Sequence, residues 1–316
     1  IQLVNKEFGG YFTCRMSLDL SCGDTLITPV TLPEVSRASS APACPTPEQI
    51  RDAIHRIKPI PQIALKVLRM IHNDVSSFED VAKEVRQDQV ISAKVIQLCN
   101  SALFSRKVDT TSIDRALILL GEKRFLLLVL SAAVDSGLFD YSQGYSLCKG
   151  GLYRHSLGMA HACERLAKLT PNRISSSVAY TAGLLHDIGK GVLDQYVAEA
   201  IPFFYRRILE EGQDLITIEK ECFNTTHAET GQTLAKLWGL PDILKDPIAC
   251  HHEPEKAETE PELTHLVFLS DLIQSRFTMG QDLERMDTGR VAESLDVLGF
   301  RRKQLPALID AVSMPV

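Results

Sequence analysis

The chain has 316 residues and a mass of 35.1 kDa, enough for one large domain or two. Hydrophobic residues make up 45% and charged residues 23%, the balance of an ordinary globular protein. The net charge of −6 argues against a general electrostatic grip on nucleic acid, and the longest apolar run, 125–134, is too short to span a bilayer. No charged-apolar-small pattern opens the chain, so the expectation is a cytoplasmic protein away from the membrane. The eight cysteines form no CxxC pair and read as reduced core thiols.

Taken in order, residues 1–41 stand apart. Stretches 11–18 and 25–32 alternate β-branched and aromatic residues around Cys22-Gly23-Asp24, so they read as a short β-like N-terminal extension of two strands. A small-residue linker, 36–47, follows. From Pro47 the helical period takes over. Ile63, Val67, Met70 and Ile71 share one face, and 80–85 and 90–99 repeat the pattern. Ser77 with Glu79-Asp80 reads as a helix start. Ile113–Leu120 should close at Gly121 as a C′ residue, and Phe125–Val134, apolar all round, should be central. A glycine-bearing stretch, 137–151, divides this first lobe, 42–145, from a second, 146–280. Helices are expected at about 152–169, 175–187, 192–211, 216–223, 227–238, 241–251 and 260–277. Two short helices should fill the tail, 281–316. The fold class is therefore all-α and two-lobed.

The chemistry concentrates in Ala182-Gly183-Leu184-Leu185-His186-Asp187-Ile188-Gly189-Lys190. Consecutive helical residues point about 100° apart, so His186 and Asp187 can converge on one ion only near a helix end, which Gly189 supplies. His251-His252 follow an apolar helix and precede Pro254, the same situation. His155 lies in the first turn or so of its helix, and Asp271 is a carboxylate in an apolar stretch that needs a partner. His155, His186, Asp187 and Asp271 would hold one divalent cation. With Asp187 bridging, His227, His251 and His252 would hold a second. Such a mixed nitrogen and oxygen set suits iron foremost, then Mn, Co, Ni or Zn, over Ca or Mg. Lys190 could neutralise a bound phosphate, which makes Asp187 and Lys190 the candidate catalytic residues. His55, His72, His161 and His265 read as ordinary surface or hydrogen-bonded residues; His161 and His265 sit six residues from His155 and Asp271, on the wrong helix face.

The segment GLLHDIGK resembles the HD superfamily of metal-dependent phosphohydrolases. The surroundings are similar to its HDOD branch, the HD-related output domain of bacterial signalling proteins. They include Ile60-Pro61-Gln62, Leu98-Cys99-Asn100-Ser101, Tyr153-Arg154-His155-Ser156, Thr226-His227-Ala228-Glu229, Trp238-Gly239-Leu240-Pro241 and His251-His252-Glu253-Pro254. The match covers roughly 50–280. It implies an all-helical fold and a regulatory role with signalling proteins, or a phosphorylated small molecule, as partners. Many HDOD members lack the metal ligands; here every position of a two-metal HD site is filled, as in the related HD-GYP phosphodiesterases. Yet Pro254-Glu255-Lys256-Ala257 stands where Gly-Tyr-Pro would follow, and Gly151 stands where some HD-GYP enzymes carry a metal-binding Glu. The expectation is a signalling module with a mono- or dinuclear metal site. The alternative is an active phosphohydrolase or phosphodiesterase acting on a nucleotide or cyclic dinucleotide.

Overall fold

The structure, a computed structural model, describes residues 45–57, 60–73, 78–101, 110–138, 144–146, 151–274 and 287–313, all within one unit, Ser39–Val316. The two expected strands, the linker up to residue 44, Ser77 and the start of the tail lie outside these residues. Among the described residues the regular structure is helical, with no strand.

The first group comprises α1 (Pro47–Arg56), α2 (Gln62–Asn73), α3 (Phe78–Gln87), α4 (Gln89–Cys99) and α5 (Ile113–Leu138). Thr46 opens α1 with a capping box: its side chain accepts from the Gln49 amide, and the Gln49 side chain accepts from the Thr46 amide. Asp88 caps α4 through the Val90 and Ile91 amides. The α2 face reads as expected, with Ile63, Val67 and Met70 buried and Ile71 packed against them. Gly121 interrupts α5 with φ 71° and ψ 169°, a positive-φ, extended conformation open essentially to glycine alone, so the chain breaks there but not in the αL geometry of a C′ glycine. Beyond it Phe125–Val134 is buried throughout, every side chain at 8% exposure or less.

The second group follows as α6 (Gly151–Leu169), α7 (Ser176–Leu185), α8 (Lys190–Glu199), α9 (Ile201–Leu209), α10 (Leu215–Phe223), α11 (His227–Leu237), α12 (Lys245–Cys250) and α13 (Pro261–Leu272). A single helix expected over 192–211 is in fact two, meeting at Ala200. Pro202 causes the break: it lacks an N–H and its ring collides with the carbonyl four residues earlier, so it is accommodated in the first turn of a new helix. The tail supplies α14 (Thr288–Val297) and α15 (Leu305–Ser313).

Helices α6 and α7 form the most extensive pair, and α13 and α15 pack on α6. Helices α2 and α5 pack on α7, which joins the two groups. A buried polar link reinforces this seam. The Tyr180 and Ser131 hydroxyls share a hydrogen bond of 2.8 Å, and the Tyr153 hydroxyl donates to the Ser131 carbonyl at 3.1 Å. The tail is tied down by Thr170 Oγ1 donating to Leu298 O, by Asn172 Nδ2 donating to Val297 O, and by a 2.9 Å contact between His265 Nδ1 and Ser294 Oγ. His265 is thus an ordinary hydrogen-bonded histidine, as its spacing implies. His161 likewise pairs with Glu164 and packs edge-on against Tyr180.

On α6, Glu164 lies between His161 and Lys168, whose ammonium stands 2.6 Å away. Burial would raise its pKa, but the hydrogen bonds from His161 and Lys168 outweigh burial and lower it from 4.5 to about 2. The pairing therefore contributes fully above pH 4.5 and is lost as pH falls towards 2. Glu164→Gln should lower the urea midpoint at pH 7, and the gap to wild type should close as pH approaches 2. Parallel urea titrations across that range check this; a gap independent of pH would refute it.

Candidate metal centre

The cluster is built from helix ends. His186 is the C-cap of α7 and Asp187 follows it. His251 is the C-cap of α12, with His252 next. His227 is the first residue of α11, behind Thr226, which forms a capping box with Glu229. His155 lies in the second turn of α6, and Asp271 one residue from the end of α13. At such ends the chain leaves the helical path, so neighbouring side chains can turn to one point.

All seven expected donors meet in one region. The donor atoms of Asp187, His227, His251 and His252 lie within 4.8 Å of one another, and so do those of His155, His186 and Asp187. Asp187 belongs to both groups and divides its oxygens between them. Oδ1 stands 3.3 Å from His227 Nε2 and 3.4 Å from His251 Nε2. Oδ2 stands 3.3 Å from His186 Nε2 and 3.5 Å from His155 Nε2. Asp271 is at the rim, its Oδ1 3.5 Å from His155 Nε2. The Lys190 ammonium is 2.6 Å from Asp187 Oδ2, its side chain 14% exposed.

The tautomers follow from the partners. His186 Nδ1 is 2.8 Å from the Gly183 carbonyl, and His251 Nδ1 is 3.1 Å from the Pro247 and Ile248 carbonyls. A carbonyl oxygen only accepts, so Nδ1 carries the proton in both rings and Nε2 faces inward bare when the ring is neutral. His227 turns its Nδ1 to Glu219, at 2.8 and 2.9 Å from the two carboxylate oxygens. Its Nε2 faces His252 Nε2 at 2.9 Å and His251 Nε2 at 3.3 Å.

Charge in the cluster is uneven. For His227, burial lowers the pKa, but the Glu219 carboxylate prevails and raises it to about 9. Burial dominates at His251, pushing it down to about 4, and at His252, also well down. For Asp187, burial opposes ionisation, but His186 and Lys190 hold the carboxyl well below its ordinary range. A proton on His227 Nε2 thus does part of what a cation would do there. Two atoms are nevertheless left without a hydrogen bond: His186 Nε2 and Asp187 Oδ1 are buried and make none among the described residues. Orphaned polar atoms of this kind are costly, and a Lewis-acidic cation is the partner that suits a bare imidazole nitrogen and a carboxylate oxygen together. The donor set therefore fits a transition metal.

Three participants escape a reading of the sequence alone. Glu219, fully buried on α10, belongs to no motif and looks like one of several acidic residues in Ile218-Glu219-Lys220-Glu221. Tyr145 lies in the stretch read as a divider, yet its hydroxyl donates to Glu219 Oε1 at 2.6 Å. Asp194 on α8 accepts from the Gly144 and Tyr145 amides and so holds those two residues in place. Gly189 also differs from expectation. Its backbone is ordinary right-handed, φ −66°, and the glycine is required by close approach instead. A Cβ there would stand 1.9 Å from the His227 carbonyl oxygen and 2.6 Å from the Gly231 amide. This contact seats the His186–Lys190 turn against the start of α11, and brings Asp187 to His227.

These features define a helical protein with a buried His/Asp cluster at its helix ends. The HDOD domain model matches residues 57–254, and the chain belongs to the HDOD family. An HDOD domain protein of unknown function from Geobacter sulfurreducens is 25% identical, covers 84% of this chain and 96% of its own, and superposes with a TM-score of 0.65. An uncharacterized protein of Treponema pallidum is 25% identical over 73% of this chain, and ribonuclease Y of Thermus thermophilus is 30% identical over 40% of it. The chain spans only 44% and 19% of those two relatives. Among the described residues no helix is long and apolar enough to cross a membrane.

Because a Cβ at Gly189 meets backbone on both sides, Gly189→Ala should lower stability by about 3 kcal/mol, at the upper end of overpacking costs. Chemical denaturation of the purified variant measures this. A change below about 0.5 kcal/mol, the range of ordinary surface substitutions, would contradict the close approach.

Proposed function

We propose that this chain is an HDOD-type signalling module that holds one or two divalent transition cations and presents them to a phosphorylated ligand or partner. His155, His186, Asp187 and Asp271 would hold the first cation, and Asp187, His227, His251 and His252 the second. Iron suits this set best, with Mn, Co, Ni or Zn as substitutes. One observation carries the reading: the Asp187 carboxylate offers one oxygen to each histidine group, while Oδ1 and His186 Nε2 are buried without a hydrogen bond.

A cation bound there would polarise a phosphoryl oxygen and make a water more acidic. The protein's own groups do the rest. Lys190 keeps its ammonium beside Asp187 at the edge of the cluster, where it can meet an anion without crossing the core. Gly183 and the Pro247 and Ile248 carbonyls hold the His186 and His251 rings with Nε2 inward. A second reading, an active phosphohydrolase or phosphodiesterase, is favoured by the complete donor set and by the likeness to ribonuclease Y over 138 residues.

Protein purified without chelator should carry about one to two moles of transition metal per mole, and Asp187→Ala should carry almost none. Elemental analysis reads both; less than about 0.2 mole per mole in the wild type overturns the metal reading. Assays on generic phosphodiester and nucleotide substrates with Fe(II) or Mn(II) separate the two functions. Turnover abolished by Asp187→Ala establishes the enzyme, and its absence in fully loaded protein supports the module.

Proton competition should govern uptake. His227 is raised to about 9 without metal, so at neutral pH it holds the proton that an incoming cation must displace. Affinity should climb by up to roughly tenfold per pH unit until about pH 9 and then level off. Calorimetric titration at several pH values tests the sign; affinity that falls between pH 6 and 8 would refute it.

A further inference from the structure

The three inward-facing rings of His186, His251 and His227 are held from behind by unequal partners. His186 and His251 give their Nδ1 protons to backbone carbonyls, which are neutral. His227 alone of the three gives its Nδ1 proton to a carboxylate, Glu219. That carboxylate is fully buried and accepts from three groups: the His227 ring, the His227 backbone amide at 2.7 Å and the Tyr145 hydroxyl at 2.6 Å. Glu219 therefore grips both ends of one residue. It satisfies an amide in the first turn of α11, which has no partner within the helix, and it fixes the ring above that amide.

A full negative charge behind an imidazole makes its far nitrogen a stronger donor and fixes the ring's orientation. Here the far nitrogen is Nε2, which faces Asp187 Oδ1, His251 and His252. Among the described residues no corresponding carboxylate stands behind His186. His186 and His227, one from each half of the cluster, thus differ in the charge behind their rings, although the halves share Asp187.

We infer that Glu219 is a positioning residue that selectively tightens the cation position formed by His227, His251, His252 and Asp187, so that Glu219 decides whether the cluster holds one ion or two. The inference rests on the metal reading above and deepens it. Removing such a carboxylate typically weakens metal affinity 10- to 100-fold. Glu219→Gln keeps the size and an acceptor oxygen while removing the charge, so it should weaken the second ion by that factor and leave the first within about twofold.

The test titrates the full chain and E219Q with Mn(II), following bound ions per chain and the EPR spectrum. Wild type should take two ions and show an exchange-coupled pair; E219Q, at concentrations that fill wild type, should hold one and show the spectrum of an isolated ion. A purely structural role for Glu219 as a cap would lower thermal stability without separating the two affinities. If wild type and E219Q both bind two ions with equal affinity, or E219Q loses both equally, the inference fails and the metal reading survives. Wild type binding a single ion also overturns the inference, leaving a mononuclear centre. Wild type binding none removes both. Should E219Q not fold, the Zn(II)-loaded wild type decides: two-bond 1H–15N spectra must show His227 protonated at Nδ1 alone, and a bare Nδ1 there overturns the inference.

Discussion

The Asp187 carboxylate is 2% exposed and must find positive charge or Lewis acidity inside the protein, because an unpaired buried charge costs several kcal/mol. Its neighbours are arranged around that need. Lys190 supplies a charge at 2.6 Å, four imidazole nitrogens stand within 3.5 Å, and each oxygen faces its own histidines. A cation between each oxygen and its rings would satisfy atoms that the protein alone leaves bare. Much of the second helical group serves to bring that one side chain to those rings.

The scaffold achieves this by ending helices at the cluster. Ends of α7, α12 and α13 and the starts of α8 and α11 converge there, and α6 brings His155 to them. The turn after α7 fits only because Gly189 leaves room for the backbone of His227. Behind the site, α6 and α7 pack closely, and Ser131, Tyr153 and Tyr180 tie that pair to α5. The first group therefore packs behind the site, and among its described residues none contributes a donor to it.

The side chains behind the donors differ in chemistry as well as position. Backbone carbonyls orient His186 and His251, whereas Glu219 orients His227, and the pKa of His227 rises to about 9 while that of His251 falls to about 4. Two histidines buried in one cluster thus respond in opposite directions: a carboxylate stands behind His227, whereas burial, helped by the charge on the neighbouring rings, prevails at His251. This asymmetry belongs to the second layer of contacts, where one residue's partner lies on a different helix.

Local sequence determined what depends on local physics. The helical period, the break at Gly121 and the fully apolar stretch 125–134 were legible, because periodicity and a glycine's freedom at positive φ act over a few residues. The residues that gather in the cluster were legible too, since a His-Asp pair can converge on one point only where a helix stops. The break at Ala200 was equally local and could have been read from Pro202. Tertiary structure alone decided the remainder. Nothing near Glu219 in the chain distinguishes it from Glu221, because its meaning comes from His227 on α11 and Tyr145 some seventy residues earlier. Gly189 matters through a backbone contact with His227 rather than through its own conformation. The division of Asp187 between two histidine groups arises only when the ends of α7, α11 and α12 and the second turn of α6 are packed to within a few ångströms, a long-range arrangement that no short segment encodes.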